Sequence, residues 1–478
     1  MLFKNSSIYI LARLIPGLMT FAALSIYTHL LSPDEYGVYT LIFSATILLH
    51  NVVYNWLPAS TLRFWSSQNF THLEFTSTLA TSYFRISLGL FFIVVVAIAI
   101  YWQQAQASWI LSSFMLLQGL ALFNITQSLF NAKIQPQAYA YMAISYSVLS
   151  LLLGSLLAYS GFGAMGVLAG MTLSYLIPVF FVFKSTWLPF ESKAYNATLF
   201  KKLLTYGLPF ASAALLEEVS KVSDRFMLAW LHDKAQAGLY AAGYDLSGNT
   251  LLLLMAAVNL AAYPEIIKLL ETQGKKAAMD YFRHYAVLLL GISIPAIVGL
   301  NLVGPDLVYL IIDEEFRPSV IFLLPWITAA VFVMGLQATY FDIAFQLGHS
   351  VITVAKIGVA IAVVNIILNW WLIPGYGMKG AAIATLSSFT MGSILSAVLG
   401  RQCFKLPFPF TDFAKILIAS MIMAFCLWWL KDFRGWGWLI LQIFTGIISY
   451  AASLIALNIM GIRPQIRNFI ARTEQETR

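Results

Sequence analysis

The sequence predicts an all-α polytopic membrane protein with about 14 transmembrane helices, arranged as two pseudo-symmetric six-helix lobes plus two C-terminal helices. Three observations predict it. Of 478 residues, 60% are hydrophobic and 10% charged, against about 45–50% and about 25% in soluble domains. The apolar residues fall in runs of about 20, the length that crosses a hydrocarbon layer about 30 Å thick. A glycine-rich motif also recurs at a long, fixed distance, as internal repeats do. Composition alone excludes a cytosolic globular protein, a nucleic-acid binder and a disordered scaffold. Each needs more polar surface than 28 basic and 21 acidic side chains can provide.

Taken in order, the apolar runs lie at 8–31, 37–60, 79–101, 108–131, 139–160, 164–186, 203–231, 235–262, 284–303, 320–343, 350–373, 379–400, 412–430 and 436–460. Only Lys4 precedes the first run, which carries Arg13 and lacks a small-residue cleavage site. It is expected to be a retained helix and not a signal peptide. With the N-terminus inside, 20 of the 28 basic residues fall in cytoplasmic segments or at helix ends facing them. Five fall outside: Lys234, Arg317, Lys379, Lys431 and Arg434. That imbalance sets both termini in the cytoplasm. The expected organisation is an N-terminal lobe at 1–186, a cytoplasmic linker at 187–202 and a C-terminal lobe at 203–400. Two extra helices follow at 412–460, then a polar tail at 461–478.

The two lobes are read from repeats. Gly-Phe-Gly-Ala-Met-Gly at 161–166 reappears as Gly-Tyr-Gly-Met-Lys-Gly at 375–380, an offset of 214. Glu35-Tyr36-Gly37-Val38-Tyr39 resembles Gln236-Ala237-Gly238-Leu239-Tyr240, an offset of 201. The matches join equivalent pairs of spans, so the halves are parallel repeats. The G-x-G-x-x-G spacing is not a dinucleotide fingerprint, because no strand precedes it. Its glycines fit tight turns and close helix packing.

At this point the chain resembles the bacterial polysaccharide flippases, within the superfamily that also holds the multidrug-and-toxin extruders. The resemblance rests on Leu30-Leu31-Ser32-Pro33-Asp34-Glu35-Tyr36-Gly37-Val38-Tyr39, Leu62-Arg63-Phe64, Tyr206-Gly207-Leu208-Pro209-Phe210, and Asp224-Arg225-Phe226-Met227-Leu228 with Gly238-Leu239-Tyr240. It implies a multi-pass protein of the bacterial cytoplasmic (inner) membrane that moves a polyprenyl-diphosphate-linked oligosaccharide to the periplasmic leaflet, for O-antigen, capsule or exopolysaccharide synthesis. It also implies membrane lipids and the polysaccharide polymerase machinery as partners.

Ionisable residues within spans supply the site candidates, since each costs about 2.5–3.5 kcal/mol near the bilayer centre. Glu217, Lys221 and Asp224 follow at i, i+4 and i+7, and Glu218, Lys221 and Arg225 at i, i+3 and i+7. All five share one stripe that cannot face lipid. The stripe reads as a cavity wall whose cations receive phosphate while Glu217, Glu218 and Asp224 balance them when it is empty or take up a coupling ion, or as an internally neutralised face that docks the halves. Asp245, near mid-membrane on the eighth span, is a second place for a coupling ion. Arg13, Arg63, Arg85 and Lys356 cluster towards the cytoplasm, where a diphosphate headgroup must leave water. They either bind it or snorkel to the headgroups. Asp342 is placed to pair with Lys356 as an inner gate.

Other chemistries are removed by what is missing. Cys403 and Cys426 are the sole thiols, and the six histidines never fall at i, i+3 or i, i+4, so no metal site is expected. No P-loop motif occurs. No cofactor is therefore expected beyond a coupling ion, H+ or Na+. Paired tryptophans at 370–371 and 428–429 suit an interfacial belt. A membrane glycosyltransferase or polymerase would need a substantial outer loop, and the longest here is about 304–319. A cation-coupled drug exporter of the same fold is the nearer rival. Its cavity would favour acids and aromatics over a basic inner mouth.

Overall fold

The structure is a computed structural model that describes residues 2–66, 70–102, 104–187, 190–348, 350–461 and 463. Among the described residues it is helical throughout, without strands. The chain divides into two compact units, Met1–Ala241 and Ala242–Arg478.

The first unit comprises α1 (Leu2–Leu30), α2 (Pro33–Val53), α3 (Trp56–Phe64), α4 (His72–Ile100), α5 (Ala105–Ala132), α6 (Pro136–Leu157), α7 (Gly163–Trp187), α8 (Ala197–Leu231) and the first turns of α9 (Lys234–Ile311). Local chemistry sets its ends. Ser32 and Thr71 close capping boxes with Glu35 and Glu74 at the starts of α2 and α4, each satisfying two orphan backbone donors. α6 turns back into α7 at Gly161 and Gly163, with φ of 93° and 50°, values that L side chains rarely adopt. The core gathers Tyr54, Leu57, Phe75, Leu79, Ile125, Trp187 and Leu203. Beyond Tyr83, α4 turns outward, exposing Phe92 at 60%, Ile93 at 65% and Ile100 at 68%. Such a row is stable in lipid and not in water.

The second unit holds the rest of α9, then α10 (Arg317–Leu336), the single turn α11 (Ile343–Leu347), α12 (Val351–Cys403), α13 (Phe410–Trp428) and α14 (Trp436–Ala456). α9 and α12 each fold back on themselves, at Gly274 (φ 84°) and Gly377 (φ 52°). Tyr285 Oη donates to Asn259 Oδ1 at 3.3 Å across the first hairpin. Asn365 Nδ2 donates to Thr385 Oγ1 at 3.3 Å across the second. Gly377 lies within the second copy of the glycine motif, so both copies are turns. Trp371, Trp429 and Trp436 are exposed, as an interfacial belt requires.

Nine helical segments among the described residues are long and apolar enough to cross a membrane. Three of them, of 52, 78 and 52 residues, reverse at these glycines and supply two rods each. Together with α1 and the more polar α8, the rods are consistent with the fourteen expected.

Several boundaries differ from expectation. The second run, 37–60, is broken after Val53: His50 O takes the N–H of both Tyr54 and Asn55, and α3 starts afresh at Trp56. Pro58, which lacks the N–H that continuation would need, favours the break. α8 groups with the first unit by packing, because α2, α3 and α4 all lie against it, although the sequence repeat counts it as the start of the second half. The outer segment expected at 304–319 is shorter, since α9 runs to Ile311 and α10 starts at Arg317.

Candidate functional site

α8 begins where the Asn196 side-chain oxygen accepts the N–H of Thr198 (3.0 Å) and Leu199 (3.1 Å). It is tied to α3 by Ser60, whose hydroxyl donates to the Leu203 carbonyl at 2.7 Å. Its far half carries the ionisable stripe. Asp224 is fully buried and accepts a hydrogen bond from Tyr240 Oη at 2.7 Å. A buried carboxylate needs such a donor in place of water. Arg225 beside it is 8% exposed, and Glu218 and Lys221 are half-buried. The side chains of Glu217 and Arg13 lie outside the described residues. Tyr240 comes from the second turn of α9 and is the repeat partner of Tyr39.

At the end of the first unit that carries α3, the start of α4 and the turns 133–135 and 190–196, cations lie over aromatic rings. The Arg85 guanidinium is 4.4 Å from the Tyr195 centroid. Lys202 Nζ is 4.9 Å from Phe64 and 5.6 Å from Phe70. Lys133 Nζ is 5.0 Å from Trp65, on which His72 stacks at 4.5 Å. Arg63 is exposed at the end of α3. The segment bearing Tyr195 is held along α4: Asn196 N–H donates to Thr78 Oγ1 at 3.1 Å, and Asn196 Nδ2 to Glu74 Oε1 at 3.1 Å. Burial pulls the Lys133 ammonium below the ordinary lysine range, a desolvation cost that an arriving anion offsets. A cation over a ring gains about 0.5–1 kcal/mol when exposed. Unlike one in an ion pair, it keeps its full charge for a third partner. The collar can therefore bind an anionic headgroup.

In the second unit, Asp245 is half-buried on α9 and Lys356 is exposed near the start of α12. Asp342 follows a π-helical turn, Gln337–Phe341. It is 7% exposed and accepts the Ser396 hydroxyl at 2.6 Å. Sequence reasoning placed Arg63 and Arg85 near the inner mouth but passed over Lys133, Lys202, Trp65 and Tyr195. The available signal was that bases and rings share the same short loops. It also passed over a polar knot in the core of the first unit, where Tyr54 Oη meets Ser87 Oγ (2.8 Å) and Gln118 Oε1 (3.1 Å).

Comparison with known proteins adds a family and a fold. A family model described as "Polysaccharide biosynthesis protein" matches residues 26–321. A probable flippase of Haloferax volcanii, AglR, is 26% identical over 376 residues, covering 75% of this chain and 76% of the relative. The probable low-salt glycan biosynthesis flippase Agl15 of the same organism is 23% identical over 214 residues, 45% of this chain and 44% of its own. Among solved structures, the lipid II flippase MurJ in an inward closed conformation superposes with a TM-score of 0.76 at 16% identity, covering 96% of this chain and all of that one. An inward-facing multidrug resistance MATE transporter gives 0.59 at 16% identity, covering 82% and 97%. At these identities the two structures speak to the fold alone.

Proposed function

This chain belongs to the polysaccharide biosynthesis protein family, and from that premise we propose that it is a flippase for a polyprenyl-diphosphate-linked oligosaccharide. The lipid moves by alternating access from the cytoplasmic to the periplasmic leaflet of the cytoplasmic membrane, for surface polysaccharide assembly. The relatives are described as probable flippases, and the solved neighbours as a flippase and a transporter, not as enzymes. The observation that carries the reading is the collar of cations over rings at one end of the first unit.

In this reading, Arg85, Lys202, Lys133 and Arg63 receive the diphosphate, with guanidinium forks as bidentate partners, and Phe64, Trp65, Phe70 and Tyr195 offer faces to the first sugars. Arg13 and Lys356 remain further candidates for phosphate contacts, as the sequence suggests. Lys221 and Arg225 hand the phosphates on, Glu217, Glu218 and Asp224 balance them in the empty state, and Asp342 acts at an inner gate. Uphill movement draws on a proton or sodium gradient through Asp245. A drug exporter of the same fold is the second reading. It leaves the basic collar without a purpose.

The test is uptake of a fluorescent polyprenyl-diphosphate oligosaccharide in proteoliposomes. The paired substitution Arg85→Gln and Lys202→Gln should lower the initial rate at limiting substrate at least about tenfold, from the loss of two charge-assisted contacts, with the protein still folded. Arg85→Lys should retain an intermediate rate. An unchanged rate in the double variant, or preferential uptake of cationic dyes by the native chain, overturns the proposal.

A further inference from the structure

A second site lies at the other end of the first unit. There α2, α4, α5 and the end of α8 enclose a groove of about 580 Å³. Ala45, Phe114 and Phe226 line its walls, and Ile93 and Trp230 at its rim are 65% and 70% exposed, so it opens sideways where lipid lies. An apolar slot open to lipid fills with hydrocarbon and not with water. Its lining extends along α2 from Leu41 to Leu49, about 12 Å at 1.5 Å per residue.

One charge interrupts this apolar lining. Lys234, in the first turn of α9, closes the groove with its ammonium 4.9 Å over the Trp109 ring. The adjacent carboxylate, Asp233, is committed to the helix start, accepting the Gln236 N–H at 2.7 Å. The α9 N-terminus adds the positive end of its dipole. In the sequence repeat Lys234 corresponds to Pro33, so the cation is not inherited from the repeat. An apolar slot ending in a cation complements a single-chain amphiphile with an anionic head.

We propose that this groove is an exit station: the isoprenoid tail of the transported lipid lies in it, with the phosphate on Lys234, after the headgroup has crossed. The inference rests on the flippase reading. It places the tail at the end opposite the Arg85 and Lys202 collar, so the lipid keeps an apolar track and a cation on both leaflets.

The experiment uses the full chain in phosphatidylcholine nanodiscs, with a polyprenyl monophosphate carrying a diazirine in its tail. Adducts are expected within 109–117 and 226–230. Lys234→Gln should cut them about tenfold, the loss of one charge-assisted contact. Lys234→Arg should keep them, and Ala45→Leu, which narrows the slot, should reduce them. Undiminished adducts in Lys234→Gln overturn the assignment. Their displacement by excess phosphatidylglycerol overturns it in favour of a bulk anionic lipid site. Labelling does not require transport: a chain that labels but does not move the oligosaccharide refutes the flippase reading, whereas one that transports without groove adducts refutes the exit station.

Discussion

Two carboxylates in the middle of the chain divide the work of holding charge in lipid. Asp224 is sealed from solvent and takes the Tyr240 hydroxyl at 2.7 Å, whereas Asp245, about six turns further along the chain in residue count, is half-buried. A group that must gain and lose an ion needs access as well as depth. Asp245→Asn is therefore expected to leave substrate binding within about twofold and to remove the difference in transport rate between proteoliposomes with and without an imposed gradient. A full gradient response in that variant would make Asp245 a structural contact. Residue depth of this kind was legible: the acids and bases of α8 stand out from composition alone. The partners were not, since Tyr240 is distant from Asp224 in register and Lys202 reaches Phe64 only through the packing of α3 on α8. Hydropathy shows which charges are out of place but not which ring or hydroxyl waits for them.

At the scale of elements, the repeat is visible as chemistry. Ser32 caps α2 by accepting the Glu35 N–H at 3.3 Å, and Asp233, 201 positions later, caps α9 by accepting the Gln236 N–H at 2.7 Å. Five residues on, the paired glycines touch. A Cβ at Gly238 would stand 2.7 Å from the Gly37 nitrogen and would strike the Pro33 carbonyl, and one at Gly37 would strike the Lys234 carbonyl. Helices can cross this closely only without side chains there. Gly37→Val and Gly238→Val should each force the crossing open, abolish transport and leave the protein in the membrane, with a cysteine at position 36 gaining reactivity to a polar maleimide. Normal transport by either variant would contradict this. The sequence pointed to these glycines and to the turns at 161–166 and 375–380. It did not show that α9 continues as helix well past 262, where hydropathy ends. Polar spacing such as Glu265 and Lys268, paired at 3.1 Å, sustains a helix outside the apolar window.

For the whole molecule, the distribution of lysine and arginine predicts the orientation. Reporter fusions in 187–202 and after Arg463 should report the cytoplasm, and fusions at 312–316 the opposite side. An outward signal from the C-terminal fusion would require an odd number of crossings. Fold class was legible throughout, because lipid leaves only helices as a solution for chains this apolar. The grouping of α8 with the first unit was not. A repeat records ancestry, and packing is decided by which faces fit: Ser60 bonding to Leu203 draws α8 towards α3 whatever half it descends from. The rod from Lys234 to the break at Gly274 is about 60 Å long at 1.5 Å per residue, twice the thickness of the hydrocarbon layer, about 30 Å. The part beyond 262, where hydropathy ends, is about 18 Å long and forms a stem outside the apolar window, and a tilt of about 10° within the membrane swings its tip by about 3 Å. The turn at Gly274 thus acts as the pointer of a gauge, displaying in water a motion that is small where it originates.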